Sequence, residues 1–416
     1  MTLNPLTVGL AAVSDRHLGG TFQYSMAILG ALRELAPGIR AVVLEEGASG
    51  DIMSAWQSDD WHVVPFNPPT VPARLRRGVA RVLGGRSSRR YATVTARSRA
   101  QWLRRHKIDL LLFPQPRVAS FETGLPYITA VHDLQHRLQP EFPEVSANGE
   151  WEFRERLFRN AIRYAEVVLV DSEVGCEDVL TFYGDLISAD RVRVLPFVLP
   201  PYFAPASLHD GDARLRSRGL PDRYLLMPAQ FWPHKNHRRV AEAVAALHEQ
   251  GLQVTVVMTG SASGRIRAQT LAGVQEFVGR AGIGGLVRIL GYVDDTLMAA
   301  LYASATGVLL PTFFGPTNIP VIEGWAMGVP VLTSDIRGIR EQCGDAALLV
   351  DPRSAEAIAD GIRRLWTDDD LRARLVVAGR ARLEQHDPDD FRAELGRIID
   401  DVGGRLASGE SRARSA

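Results

Sequence analysis

Short Val-, Leu- and Ile-rich runs recur along the chain, separated by segments long enough to be helices. In the first half they are LTVGLAAV (6–13), DLLLFP (109–114), YITAVHD (127–133) and EVVLVDS (166–172). In the second half they are RYLLMPA (223–229), QVTVVMTG (253–260), VRILG (287–291), TGVLLP (306–311), VPVLTSD (329–335) and AALLVDP (346–352). A strand with one wet face alternates apolar and polar residues, and these do not. They predict parallel strands covered on both faces by crossover helices, an α/β chain throughout.

Each half opens alike, with a strand, a loop of small and polar residues, and an amphipathic helix: GTFQYSMAILGALREL in one, NHRRVAEAVAALHEQG in the other. At 416 residues the chain exceeds what one core usually serves. The pattern predicts two Rossmann-like, doubly wound domains, 1–200 and 213–390, followed by a C-terminal helix and disordered tail over 391–416. The proline-rich stretch FVLPPYFAPASLHDGD (197–212) breaks the apolar periodicity and reads as the linker. Ligands of such sheets bind beyond the carboxyl ends of the strands, so the cleft between the domains is the expected site.

Composition narrows the function classes. Lys and Arg together number 48, as do Asp and Glu, and a formal net charge of zero argues against a general nucleic-acid binder. Two cysteines, Cys176 and Cys343, form no disulfide framework and sit in no metal-ligand spacing, which fits a reducing cytoplasm. No apolar run reaches the roughly 18 residues that span a bilayer, and no basic region precedes the apolar start of the chain.

Within that arginine-rich composition only two lysines occur, Lys107 and Lys235. An ammonium is a compact point charge suited to one phosphate oxygen, whereas guanidinium is a broad fork. Lys235, in PAQFWPHKNH (228–237), is therefore a candidate for a specific cationic role, the alternative being a codon-biased genome that spared it by chance. Gly19 and Gly20 lie between the first strand and its helix, where bare backbone amides suit a diphosphate. Turns also use glycine for its conformational freedom, and the segment does not fit GxGxxG.

With PAQFWPHKNH, the stretch LLPTFFGPTNIPVIEGWAMGVPVLTSDIRGIREQCGDAALLVDP (309–352) resembles the retaining glycosyltransferases of the GT-B fold classed as family 4, and within them a group bearing FGPTNIP. HDLQH (132–136) is similar to the family's strand-end His-Asp segment, and LGYVDDTLMAALYASA (290–305) to its nucleobase-contacting turn and following helix. The segments occur in the family's order over nearly the whole chain.

The resemblance implies that Lys235 faces the donor diphosphate and that Glu323 accepts from the ribose hydroxyls. His132 would meet the transferred sugar, with Asp133 behind it, and Gly291, Tyr292 and Val293 would edge the base. Gly260, Thr317, Asn318 and Ile319 complete the implied substrate-binding set with Gly19, Gly20 and Gln230. Chemistry agrees: a carboxylate accepts from two vicinal hydroxyls, and an ammonium offsets charge growing on a departing diphosphate. The alternative for Glu323 is a carboxylate at a helix N-terminus, favoured by the macrodipole.

Two positions depart from the family pattern. Gly315 stands where a Glu is common, eight residues before Glu323, and Gln230 where an Arg is common, five before Lys235. The cleft thereby lacks one carboxylate for sugar hydroxyls and one cation at the diphosphate. No double-displacement nucleophile is evident, and the resemblance implies transfer on the leaving-group face. Asp294, Asp295 and the run Asp368 to Asp370 read as turn and helix-start residues, better explained by capping than by a cation, so no metal or other cofactor is expected beyond the nucleotide-sugar co-substrate.

Residues 74–107 contain eleven Arg, Lys107 and no acid. This segment either lies on an anionic leaflet, suiting a lipid-linked acceptor, or is a solvated face. The resemblance implies a hexosyltransferase of mannose, rhamnose or glucose type, and the cysteine usage fits a cytoplasmic one. Its partners are a nucleotide-sugar donor and a glycan or lipid-linked hydroxyl acceptor, with no nucleic acid. A nucleotide-sugar epimerase and a non-catalytic nucleotide-sugar-binding partner are the rival readings.

Overall fold

A computed structural model describes residues 5–13, 19–35, 38–45, 62–67, 97–199, 215 and 218–410. It contains two all-parallel sheets. The first holds β1 (Leu6–Leu10), β2 (Ile39–Glu45), β3 (His62–Pro65), β4 (Leu110–Phe113), β5 (Tyr127–Ala130), β6 (Val167–Val170) and β7 (Val192–Val194), in spatial order β3-β2-β1-β4-β5-β6-β7. The second holds β8 (Leu225–Pro228), β9 (Val256–Thr259), β10 (Val287–Gly291), β11 (Gly307–Leu310), β12 (Val331–Ser334) and β13 (Leu348–Val350), in order β10-β9-β8-β11-β12-β13. Each apolar run named from the sequence contains one strand, and β4, β5, β6, β8, β9, β11 and β12 are buried at every residue, as continuous apolar strands require. Three strands, β2, β3 and β7, fall outside those runs. HVVP and VRV are too short and too charged at their ends to signal themselves, whereas the apolar core of IRAVVLE carries the same signal as the others.

Strand order reverses between β1 and β4 in one lobe and between β8 and β11 in the other. At such a point the loops leaving neighbouring strands diverge to opposite faces of the sheet and open a crevice at its carboxyl edge. The loop after β1 leads to α1 (Gly20–Glu34). The loops after β8 and β11 lead to α4 (His237–Glu249) and α7 (Ile319–Ala326). Between them in sequence come α2 (Glu150–Arg163), α3 (Glu173–Tyr183), α5 (Arg265–Arg280) and α6 (Asp295–Ala303).

Helices α8 (Arg337–Cys343), α9 (Ala355–Thr367) and α10 (Asp369–Leu383) follow in the second lobe, and α11 (Pro388–Ser408) is the last described helix. The last helix crosses back to the first lobe and packs on α1. Phe391 meets Tyr24 edge-on at 6.1 Å, and Arg193 of β7 pairs with Glu394 and Asp401. Helix α11 runs to Ser408, so the segment assigned to a C-terminal helix and tail, 391–416, is helical through 408.

Of the linker assigned to 197–212, only 197–199 fall among the described residues, and residues 74–96 of the basic segment lie outside them. No described helix is long and apolar enough to cross a membrane.

Candidate active site

The crevices of the two sheets face each other across a cleft of about 410 Å³. Its lining includes thirteen of the positions singled out from the sequence, Gly19, Gly20, His132, Asp133, Gln230, Lys235, Gly260, Tyr292, Val293, Thr317, Asn318, Ile319 and Glu323, but not Gly291, which ends β10 beside Tyr292. Most come from loops leaving β1, β5, β8, β9, β10 and β11, the strand ends that the topology turns inward.

Lys235 closes a single helical turn, Pro233–Lys235, after β8. The next residue, Asn236, takes a left-handed φ of 68° and donates its buried amide to Pro311 O and Pro352 O, both at 2.8 Å. This ties the lysine loop to the ends of β11 and β13. The Lys235 ammonium donates to Asn318 Oδ1 at 3.2 Å. Burial pulls its pKa down to about 8, against the influence of Asp133 and Glu144. A desolvated ammonium whose described partner is a neutral amide oxygen favours an incoming anion.

Asn318 holds the N-cap position of α7, yet its side chain makes no cap bond. Its oxygen serves Lys235 instead, and its backbone is fixed by a reciprocal pair, Asn318 N to Gln342 Oε1 at 2.9 Å and Gln342 Nε2 to Asn318 O at 3.0 Å. Gly315, the first departure from the family pattern, has a φ of 132°, and a Cβ there would lie 2.9 Å from Asn318 Nδ2. A side chain at 315 is strained and obstructed while Asn318 occupies this space. Gly260 is constrained more tightly, because a Cβ would run into the Ala229 carbonyl.

Glu323 sits on the second turn of α7, beyond the reach of the helix-end field, so the macrodipole does not explain it. It is 6% exposed, accepting from Tyr302 Oη at 2.6 Å and from Gln23 Nε2, across the cleft on α1, at 3.0 Å. Burial raises its pKa despite both donors. One of its two donors is a hydroxyl and the other an amide.

His132 follows β5. Its Nε2 faces the Pro114 carbonyl at 2.7 Å and its Nδ1 faces Asp171 at 3.0 Å. A carbonyl oxygen only accepts, so Nε2 carries a proton, and the carboxylate favours one on Nδ1 as well. Burial opposes charge on the ring, but Asp171 and Pro114 outweigh it and hold the pKa above its ordinary value. Tyr24 meets the ring edge-on at 4.8 Å and Phe197 stacks on it at 5.3 Å. A sugar hydroxyl reaches Nε2 only by displacing Pro114 O. Asp133, next in the chain, accepts from Gln135 N at 3.1 Å.

The lobes are also bridged around the cleft. Glu144 accepts from His234 Nδ1 at 2.6 Å, and Gln139 Nε2 donates to Phe313 O at 2.8 Å. On another edge Glu341 accepts from the backbone of Glu173 and Val174, capping α3 from the opposite lobe, and Arg337 pairs with Asp178 at 2.9 Å.

Two family models match the two lobes in turn: "Glycosyltransferase Family 4" over residues 19–197 and "Glycosyl transferases group 1" over 222–368. The chain belongs to the family 4 glycosyltransferases. Among its relatives is the O-antigen chain mannosyltransferase B of Escherichia coli, 25% identical over 62% of this chain and 66% of that one. Another is the alpha-D-kanosaminyltransferase of Streptomyces kanamyceticus, 25% identical over 63% and 66%. The chain thus spans just under two thirds of these relatives' length. Among solved structures, the Anabaena Alr3699/HepE complex with UDP and glucose superposes with a TM-score of 0.70 at 18% identity, covering 95% of this chain and 99% of that one. The Rickettsia africae glycosyltransferase does so with a TM-score of 0.70 at 17%, covering 96% and 99%. These likenesses establish the GT-B fold.

Sequence reasoning missed several residues that the family 4 fold brings to the cleft. Asp171 ends β6 as His132 follows β5, so the strand-end rule that flags the histidine flags it too. Gln23 and Glu144 carry no local signal, because their partners lie in the other lobe. Asp294 and Asp368 cap α6 and α10 through Leu297 N and Leu371 N, each at 2.8 Å, and the described residues hold no cluster of potential metal ligands.

Proposed function

We propose that this chain is a retaining hexosyltransferase that takes its sugar from a nucleoside diphosphate and passes it to a hydroxyl of a glycan or lipid-linked acceptor. The observation that carries this reading is Lys235: a half-buried ammonium, held by an amide oxygen rather than a carboxylate, opening onto a cleft whose far wall begins at Gly19 and Gly20. Such a group is stabilised by an anion of the shape of a diphosphate. Glu323, already bonded by two donors, offers acceptors to the pentose. The UDP bound by the Anabaena protein and the mannosyl transfer named for the Escherichia coli relative lend support by analogy.

In this mechanism the bond between the anomeric carbon and the diphosphate oxygen breaks, its electron pair leaving on the diphosphate. Lys235 offsets the charge that grows there. The acceptor oxygen bonds to the same face of the oxocarbenium-like carbon, and its proton passes to the departing phosphate oxygen. Asp171 and Glu323 are both committed to protein donors, which favours this route over a carboxylate nucleophile.

A panel of nucleotide sugars, assayed for hydrolysis and for transfer with purified protein and its Lys235→Ala variant, tests the reading. Transfer or slow hydrolysis of at least one donor, lost in the variant, is expected. Unchanged turnover in the variant removes this mechanism, an altered sugar formed without acceptor favours the epimerase, and binding without turnover of any donor favours the non-catalytic partner.

A further inference from the structure

We infer that Arg267 is a positioning residue for the diphosphate end of the cleft, acting through the amide of Gln230; this rests on the nucleoside-diphosphate reading above. Among the described residues lining the cleft, Lys235 is the one lysine or arginine. Gln230, at the end of β8, is a neutral group on the same loop. Its Oε1 accepts from Arg267 NH1 at 2.6 Å and from Trp232 Nε1 at 3.1 Å.

Guanidinium and indole N–H groups can only donate, so the two contacts fix which end of the amide is oxygen. The Nε2 end is thereby turned toward the opposite lobe, where a Cβ on Gly19 would lie 3.2 Å from it. Gly19 and Gly20 begin α1, so the Gln230 N–H group and the first amides of that helix face the same space. A short bond from a cation to the amide oxygen polarises the amide and strengthens its N–H as a donor. Arg267 supplies positive field to the diphosphate without entering the cleft.

The setting of Arg267 argues against simple surface packing. It lies in the first turn of α5, beside Arg265, with no acid in that turn, a position where the helix field disfavours cations. Its guanidinium lies over the Trp232 ring at 4.7 Å and donates to Ser263 Oγ at 3.0 Å. These contacts aim it at Gln230.

Calorimetric titration with UMP, UDP, GMP and GDP tests the inference. Arg267→Ala is expected to weaken the diphosphate that the wild type binds by about tenfold and the matching monophosphate by less than about twofold, a selectivity that loss of packing alone does not produce. In a Gln230→Ala background the same substitution adds nothing further, and Arg267→Lys, which keeps a donor for Oε1, recovers most of the affinity. The double change Gln230→Arg with Arg267→Gln, which moves the cation into the cleft wall, binds the diphosphate at least as well as Arg267→Ala with Gln230 intact. Equal losses for mono- and diphosphate, or additive losses at 230 and 267, overturn this inference while leaving the nucleotide site standing. Failure of the wild-type protein to bind any of the four overturns both.

Discussion

The two walls of the cleft are built from the same doubly wound sheet, yet they are organised differently. On the second lobe the functional loops after β8 and β11 are fastened to each other: Asn236 to Pro311 and Pro352, Lys235 to Asn318, and Asn318 to Gln342. On the first lobe the contributions come from separate segments at Gly19 to Gln23, His132 and Asp133, Glu144 and Asp171. Two of these reach the other side directly, Gln23 through one hydrogen bond to Glu323 and Glu144 through two from His234. One wall is a preassembled cradle, and the other is a set of latches on separate segments, of which His132 and Asp171 hold each other. In the proposed mechanism charge stabilisation would fall to the cradle, and closure and sugar placement to the latches.

That contrast orders the expected effects. Removing the cradle's cation, Lys235→Ala, is expected to lower turnover by about 100- to 1,000-fold, the scale of losing one preorganised charge-stabilising donor. The melting temperature should be unchanged or raised, because a desolvated charge is removed. Lys235→Arg keeps the charge but not its fit and should also lose rate beyond any loss of stability. Equal turnover in purified Lys235→Arg breaks the contrast at its strongest point.

On the latch side, Asp171→Asn removes the carboxylate that orients the His132 ring and holds its pKa up against burial. A drop of about tenfold in kcat with little change in nucleotide affinity is expected, on the scale of losing a partner that orients a functional histidine. A fall in nucleotide affinity with kcat intact would move His132 to the cradle.

The pH dependence follows from Lys235. Its pKa of about 8 rises when a diphosphate binds, so binding takes up a proton above pH 8. Nucleoside-diphosphate affinity should then fall by up to about tenfold per pH unit as pH rises past that point. The same depressed pKa lies below that of the unfolded chain, about 10.4. The unfolded state therefore holds more protons between the two values, and this group's contribution to stability rises with pH across that window. A flat affinity profile from pH 7 to 9.5 contradicts the assignment.

The smallest effect is expected at Gln23, whose amide occupies Glu323 Oε1. Gln23→Ala should tighten nucleotide binding by a few-fold, the size of one hydrogen bond that no longer competes. Weaker binding would show instead that the amide itself grips the nucleotide.

The same contrast explains what was legible in the sequence. Cradle residues are contiguous: PAQFWPHKNH and FGPTNIPVIEG each place several site residues on one loop, so a single stretch carries its own context. Latch residues gain meaning from partners in the other lobe, and nothing around Gln23 or Glu144 announces Glu323 or His234. Gly315 reads in sequence as a missing carboxylate. In the structure its positive φ and the Asn318 amide beside it account for the glycine. The sheets were legible because both faces of most strands are buried, while β3 and β7 were too short to carry the pattern.

The most direct test of the central claim is a crystal structure of the protein with a bound nucleoside diphosphate. The account predicts that the diphosphate lies in the interlobe cleft within hydrogen-bonding distance of Lys235 Nζ, with the pentose hydroxyls at Glu323. A nucleotide bound elsewhere, or in the cleft but touching neither side chain, would contradict it.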